Sequence, residues 1–169
     1  MDKLTKVFLF VIVILVLFAI YLAPLSGKPP SQMVDKAREL DQQSHNKEEL
    51  IKSVYKFVNQ SYTSPIRQYL KEPSKIFVKD IRKIWNMQGG YLPSNTQNEM
   101  AKQMLLLTGK FKQEDFVAVQ GWCEISPHSF LFVNVNNKKI ALDLWGADHS
   151  IPFGCYASRP CAEGQAICP

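Results

Sequence analysis

The spacing of apolar residues changes twice along this chain, and the changes predict three kinds of structure. Residues 7–25 form a continuous apolar run without a charged residue. Beyond it, apolar residues recur at every third or fourth position, which is typical of helices with one buried face. The predicted helices span residues 32–40, 47–60 and 75–87, and a further helix begins at Ser94 and ends at Gly109.

From Phe116 onward, apolar and polar residues alternate, which is the spacing of strands. The alternation predicts strands at residues 116–119, 130–135 and 138–144. Asn136 and Asn137 separate the last two, and asparagine tolerates the positive φ that a two-residue hairpin turn requires. Helices followed by a small antiparallel sheet indicate an α+β fold, with the helices packed on the sheet.

The predicted hairpin also determines which side chains are neighbours. With the two asparagines as the turn, Phe130 falls opposite Asp143, and His128 falls opposite Trp145 if the pairing continues that far. His128 and Asp143 are then diagonal neighbours on one face of the sheet, with β-carbons on the order of 7 Å apart. A histidine within hydrogen-bonding reach of a carboxylate is the base of a catalytic triad together with its orienting group.

The helix that begins at Ser94 supplies the third candidate. A side chain at a helix N-terminus lies at the positive end of the helix dipole, where an anionic nucleophile is stabilised. Ser94 and Gln97 also have the spacing of a capping box, in which the two side chains satisfy free backbone N–H groups. Ser94 is therefore either a nucleophile or a helix cap, just as His128 and Asp143 are either catalytic or structural.

A helix that opens after a glycine-containing turn, a histidine at a strand start and an aspartate near the end of the next strand resemble the transglutaminase-like superfamily. That superfamily shares the papain-like cysteine-protease architecture. The resemblance covers residues 55–145 and is most specific in PHSFLFVNVNNKKIALDLW. It implies that Ser94, His128 and Asp143 occupy the three active-site positions. Gln88, six residues before Ser94, has the offset of the oxyanion-hole glutamine in papain-type proteases.

The chain departs from the family at the nucleophile, because Ser94 stands where the family has a cysteine. A thiol at a helix N-terminus beside a histidine readily becomes a thiolate. A serine hydroxyl stays protonated and needs His128 to remove its proton during attack. Cys123 lies near His128 in sequence but not at a helix start, so we do not assign it as a displaced nucleophile.

Three functions remain open at this point. The first is a degenerate member of the family that binds peptides or components of the cell envelope. The second is an active hydrolase or acyltransferase that acts on peptide amide or ester bonds through Ser94, His128 and Asp143. The third is a structural envelope protein whose anchor and disulfides are its main features.

The N-terminal run predicts the location of the chain. Residues 7–25 are long enough to span the hydrocarbon core of a bilayer. Lys3 and Lys6 precede the run, so the N-terminus is expected in the cytoplasm and the domain on the extracytoplasmic side of the cell membrane. A cleaved signal peptide is the alternative, but the run is longer than usual for one and no A-x-A-like cleavage site follows it.

Cysteine usage and charge limit the cofactors and partners. Four cysteines allow three pairings, and at least one disulfide is expected in an oxidising compartment. Cys155, Cys161 and Cys168 are spaced too widely for a zinc site, and neither a metal nor another cofactor is expected. The net charge of +5 is spread along the chain without a basic run. It suits an anionic membrane surface, and nucleic-acid binding is not expected.

These observations predict a single-pass membrane protein in four segments. Residues 1–25 form the anchor, 26–46 a linker and first helix, 47–154 the transglutaminase-like domain, and 155–169 a cysteine-containing tail.

Overall fold

The computed structural model describes residues 2–63, 73–123, 126–157 and 166–169. Short 3-10 turns occur at Pro73–Phe77 and Gln113–Asp115. The α-helices are α1 (Lys3–Leu22), α2 (Ser31–Gln42), α3 (Lys47–Ser61), α4 (Ile81–Trp85), α5 (Ser94–Leu107) and α6 (Leu144–Ala147).

The described strands form two small antiparallel sheets. β1 (Phe116–Cys123), β2 (Ser126–Val135) and β3 (Lys138–Leu142) follow one another in a three-stranded sheet. β4 (Tyr156–Ala157) pairs with β5 (Ala166–Ile167) in a two-stranded sheet. Helices α2 and α3 pack against α5, and α5 packs against β2. The predicted α+β fold with helices on a small antiparallel sheet is confirmed.

Helices α2 and α3 begin and end close to the predicted positions. The Asn46 side chain accepts a hydrogen bond from the Glu49 N–H, which satisfies one free donor at the start of α3. Each helix buries the face that its apolar spacing predicts. The buried residues are Met33, Ala37 and Leu40 from α2 and Leu50, Ile51, Val54, Tyr55 and Val58 from α3. Because both sets belong to one hydrophobic core, the first helix after the linker is part of the same folded unit.

The single helix predicted for residues 75–87 is wrong. The segment is a 3-10 turn, then extended chain, and then the five-residue helix α4. Asp80 interrupts the helix because it forms a bridge with Ser26, which follows the N-terminal run. Its carboxylate also accepts hydrogen bonds from the N–H groups of Arg82 and Lys83 and so caps α4. A contact distant in sequence therefore overrides the local helical spacing.

The predicted hairpin is confirmed at its turn but not at its far end. Asn136 and Asn137 have φ values of 50° and 65°, and Val135 pairs with Lys138. The ladder ends at the Leu131–Leu142 pair, because Asp143 leaves the strand and caps helix α6. Trp145 therefore lies in a helix, and the expected pairing with His128 is wrong. His128 instead pairs with Gly121 on β1.

Helix α1 stands apart from the core. Its apolar side chains are exposed along most of its length, from Leu4 to Ile20. Among the described residues, there is no helix with both the length and the hydropathy that are needed to cross a membrane.

A disulfide closes the C-terminal tail on itself. Cys155 and Cys168 lie 4.3 Å apart at their α-carbons and are joined by a bond between their Sγ atoms. The bond ties the residue before β4 to the residue after β5, so it fixes the two-stranded sheet. The prediction of at least one disulfide is confirmed by this pair.

Candidate active site

The candidate nucleophile opens helix α5, but not as its cap. Pro93 is the N-cap residue and makes no side-chain capping bond, while Ser94 is the first helical residue. Gln97 turns its amide away and donates from Nε2 to the Leu92 carbonyl at 2.9 Å. The predicted capping box is therefore wrong. Pro93 is at the N-cap position instead, with an extended backbone of φ −62° and ψ 150°.

The first turn of α5 is polar and yet buried. The residues Ser94, Thr96, Gln97 and Asn98 are each at most 8% exposed. Asn98 donates from Nδ2 to the Ser129 carbonyl at 2.6 Å, and Ser129 directly follows His128 on β2. Ser94 precedes Asn98 by one helical turn and so lies on the same face of α5. This bond holds the first turn of the helix against the part of β2 that carries His128.

The predicted contact between His128 and Asp143 is present. The His128 Nε2 and Asp143 Oδ2 atoms are 3.2 Å apart, and both side chains are buried. The two residues meet at the end of the β2–β3 ladder, where Asp143 turns from β3 into helix α6. The hairpin register thus places them together, although the carboxylate is aimed by a helix cap rather than by a continuing strand.

The Asp143 carboxylate accepts hydrogen bonds from two backbone groups in addition to the histidine. Oδ1 accepts from the Gly146 N–H at 2.9 Å, and Oδ2 accepts from the Ala157 N–H at 3.3 Å. Gly146 is required there, since a β-carbon at this position would lie 2.9 Å from the Asp143 Cγ. The Asp143 carboxylate acts as the acceptor toward each of these groups. In the contact with Oδ2, Nε2 of His128 is therefore the donor and carries the proton. A neutral His128 then has its free lone pair on Nδ1.

The main chain at Asp143 is fixed by a buried tyrosine. The Tyr55 hydroxyl of α3 donates to the Asp143 carbonyl at 3.3 Å. Burial, and secondarily the negative charges of Asp143 and Asp148, raise the pKa of Tyr55 well above its ordinary value. The phenol is consequently protonated at neutral pH and remains a donor. Helix α3 thereby positions the start of α6.

Aromatic rings enclose the imidazole. The Trp145 ring meets His128 edge-on at a centroid distance of 4.9 Å, and the Phe130 ring lies 6.2 Å from it. The His149 ring stacks on the Trp145 ring at a centroid distance of 3.8 Å. Such apolar walls strengthen the hydrogen bond between His128 and Asp143 because they exclude water. His128 itself is only 5% exposed.

The other residues singled out by sequence lie in different surroundings. Gln88 is exposed in the turn after α4, and its oxyanion-hole assignment stays a prediction. Cys123 ends β1, and its side chain lies outside the described residues. Among the residues that the structure describes, no three histidine, cysteine or carboxylate side chains are grouped as metal ligands.

Sequence reasoning missed three groups that build the site: Tyr55, Asn98 and the Ala157 N–H. Tyr55 is 88 residues from Asp143, so no local pattern connects them. Ala157 belongs to the tail, which was assigned to a separate segment. Asn98 carried a usable signal, because it lies on the face of α5 that faces the sheet, where an apolar residue would be expected.

Comparisons with known proteins add no relative. No family model matches the chain, and neither the curated proteins nor the solved structures contain a match.

Proposed function

We propose that this chain is a transglutaminase-like domain that binds peptides of the cell envelope at a site formed by Ser94, His128 and Asp143. The observation that carries the proposal is the buried bond between His128 and Asp143, with the carboxylate held by two backbone donors. The Asn98 bond to the Ser129 carbonyl supports the third position, because it brings the turn that starts with Ser94 to the same strand.

Binding without turnover is the first form of this proposal. A serine hydroxyl gains little from the helix dipole, because its pKa is too high for the alkoxide to form near neutral pH. The papain-like arrangement relies on a thiolate that exists before the substrate arrives. With Ser94 in that position, the peptide is held but its amide bond is not attacked. A bound peptide backbone would hydrogen-bond to the polar groups at the first turn of α5.

Hydrolysis or acyl transfer is the second form, and the proton placement on His128 favours it. With Nε2 protonated toward Asp143, Nδ1 is the atom that removes the proton from Ser94 Oγ as Oγ attacks a peptide carbonyl. The same proton passes to the leaving amine, which departs and leaves an acyl-Ser94 ester. Water or a second amine then attacks this ester and restores the serine. Asp143 stabilises the imidazolium at each step.

A serine-directed probe separates the two forms. We expect little or no labelling of the natural protein by a fluorophosphonate, because an unassisted hydroxyl is a poor nucleophile. The measurement is in-gel fluorescence of the full chain in detergent micelles, with Ser94→Ala as the matched variant. A serine hydrolase of known activity in the same micelles confirms that the probe is competent.

Strong labelling of the natural protein that disappears in Ser94→Ala would contradict the binding form and establish a serine enzyme. Labelling that persists in Ser94→Ala would come from another residue and would count against both forms.

We further propose that the N-terminal segment holds the chain in the cell membrane as a single-pass anchor, with the domain on the extracytoplasmic side. The exposed apolar side chains of α1 support this, because they form an apolar surface from Leu4 to Ile20 that the described chain leaves largely uncovered. The uncharged run also continues past the part of α1 whose side chains are described, through Tyr21 and Leu22 to Leu25. Lys3 and Lys6 support the orientation.

Fractionation of cells tests the membrane anchor directly. Carbonate washing should leave the full-length protein in the membrane pellet, and protease added to intact spheroplasts should digest the domain. Placing lysines at both Ile12 and Leu15 should release much of the protein, since each charge costs about 3 kcal/mol at the centre of a bilayer. The matched double alanine variant should stay in the pellet. A shortened, freely soluble protein that starts near Lys28 would show instead that the segment is a cleaved signal.

A further inference from the structure

The chain that follows helix α1 is attached to the domain within a few residues. The Ser26 N–H donates to the Lys79 carbonyl at 2.7 Å, and the Ser26 carbonyl accepts from the Ile81 N–H at 2.9 Å. Leu25, one residue earlier, packs against the hydrophobic core. Since α1 ends at Leu22, the chain between α1 and this attachment spans at most about 14 Å. The domain is therefore held close to the end of α1.

The same attachment determines which side of the domain lies nearest to α1. Ser26 pairs with Asp80, the residue that caps α4, and α1 also contacts the 3-10 turn Pro73–Phe77. The Arg82 Nε group donates to the Lys28 carbonyl at 3.1 Å, so the chain after Ser26 continues along the start of α4. With α1 in a membrane, the start of α4 and the 3-10 turn lie next to the bilayer surface.

Three cations are exposed on this side of the domain. They are Lys28, Arg82 and Lys83. The Asp80 carboxylate lies beside them and accepts hydrogen bonds from the backbone N–H groups of Arg82 and Lys83. Asp35 lines a surface hollow together with Lys28 and Arg82, but its charge is offset by Arg38 at 3.3 Å. The cations of this group outnumber the carboxylates, so its charge is complementary to that of anionic lipid headgroups.

An exposed aromatic side chain lies on the turn that contacts α1. Phe77 ends this turn and is 37% exposed, although the next residue, Val78, packs against the core. An exposed phenyl ring is stabilised at the boundary between lipid headgroups and acyl chains, and cations commonly accompany aromatic side chains there. The combination of a ring and cations next to α1 indicates that the bilayer itself covers this side of the domain.

We propose that the surface formed by Lys28, Phe77, Arg82 and Lys83, here called the membrane-facing surface, docks on anionic lipid headgroups around α1. The cations bind lipid phosphates, and the ring of Phe77 enters the boundary between headgroups and acyl chains. This inference rests on the proposed membrane anchor. It adds that the domain has one fixed orientation on the bilayer and is not suspended from a free linker.

The test uses the full ¹⁵N-labelled chain in nanodiscs of phosphatidylcholine, with or without phosphatidylglycerol. A lipid that carries a nitroxide on its headgroup broadens the amide resonances of residues near the bilayer surface. The reference residues are Lys138 and Lys139, because Lys138 pairs with Glu48 beyond the far end of α2, a helix about 18 Å long. With phosphatidylglycerol present, the four residues of the membrane-facing surface should be broadened several times more than the reference residues. Phosphatidylcholine alone should give less broadening, since it carries no net charge.

Variants connect the docking to the named charges. Lys28→Gln combined with Lys83→Gln should lower the ratio of docked to undocked domain by about fivefold for each lysine removed, because each contributes about that factor at an anionic surface. Lys138→Gln combined with Lys139→Gln is the matched control, since it removes the same charge from exposed side chains of β3. The control should leave the broadening of the membrane-facing surface unchanged.

Three results would overturn the proposal while the chain stays in the discs. The first is broadening of the membrane-facing surface no greater than that of the reference residues, which means that the domain does not dock. The second is equal broadening with and without phosphatidylglycerol, because the cations then contribute nothing. The third is an equal loss of broadening in the variant and its control. A chain that does not enter the discs would contradict the anchor itself, so the two failures are distinct.

Discussion

Replacing Ser94 with cysteine should create a thiol that iodoacetamide alkylates with a midpoint below about pH 7.5, against about 8.5 for an unperturbed thiol. The thiolate would lie at the positive end of α5 and beside the imidazole of His128, and both stabilise the negative charge. The thiol pKa therefore falls. The measurement is the pH dependence of the alkylation rate, followed by mass spectrometry of the peptide that contains residue 94.

Two variants separate the two causes of this shift. His128→Ala in the Ser94→Cys background removes the imidazole and should move the midpoint upward again. Thr108→Cys places a thiol at the opposite end of the same helix, where the dipole is negative, and it should titrate at or above 8.5. A Ser94→Cys thiol that titrates normally would mean that the three residues do not converge, and the site assignment would be wrong.

Replacing Asp143 with alanine should lower the free energy of unfolding by about 3 kcal/mol or more. The change leaves three buried donors without an acceptor: the His128 ring N–H and the backbone N–H groups of Gly146 and Ala157. It also removes the cap of α6. Urea unfolding of the full chain in micelles, followed by tryptophan fluorescence, measures the loss, because Trp145 is in α6.

Matched variants make this result specific. Asp143→Asn keeps the shape and one acceptor but turns an NH₂ group toward other donors, so it should lie between alanine and the natural residue. Asp35→Ala removes an exposed carboxylate that pairs with Arg38, and its effect should stay within about 0.5 kcal/mol. A loss below about 1 kcal/mol in Asp143→Ala would show that water or another group takes over these donors, against the buried network described above.

Helices α2 and α3 and the hairpin could be predicted because their signals are local. The apolar spacing of α3 puts Leu50, Val54 and Val58 on one face, and that face is the one that the core covers. Asn136 and Asn137 adopt the positive φ that the turn requires. From the hairpin turn the neighbourhood of His128 and Asp143 followed, since side-chain order along paired strands is fixed by the register.

The tertiary structure decided what the local pattern could not. Asp80 breaks the helix predicted for 75–87 because Ser26, far away in sequence, pairs with its backbone. Pro93 rather than Ser94 is the N-cap residue of α5, and the buried Gln97 side chain donates to the Leu92 carbonyl.

The candidate site shows the same division between sequence and tertiary structure. The sequence by itself placed His128 and Asp143 within hydrogen-bonding distance of each other, because the paired residues of a hairpin are close in sequence. Only the tertiary structure supplied Tyr55, Asn98 and the Ala157 N–H, which come from α3, α5 and the disulfide-tied tail. These groups hold His128, Asp143 and the first turn of α5 in place through contacts between elements that are distant in sequence. The spacing of residues along a single element does not predict such contacts.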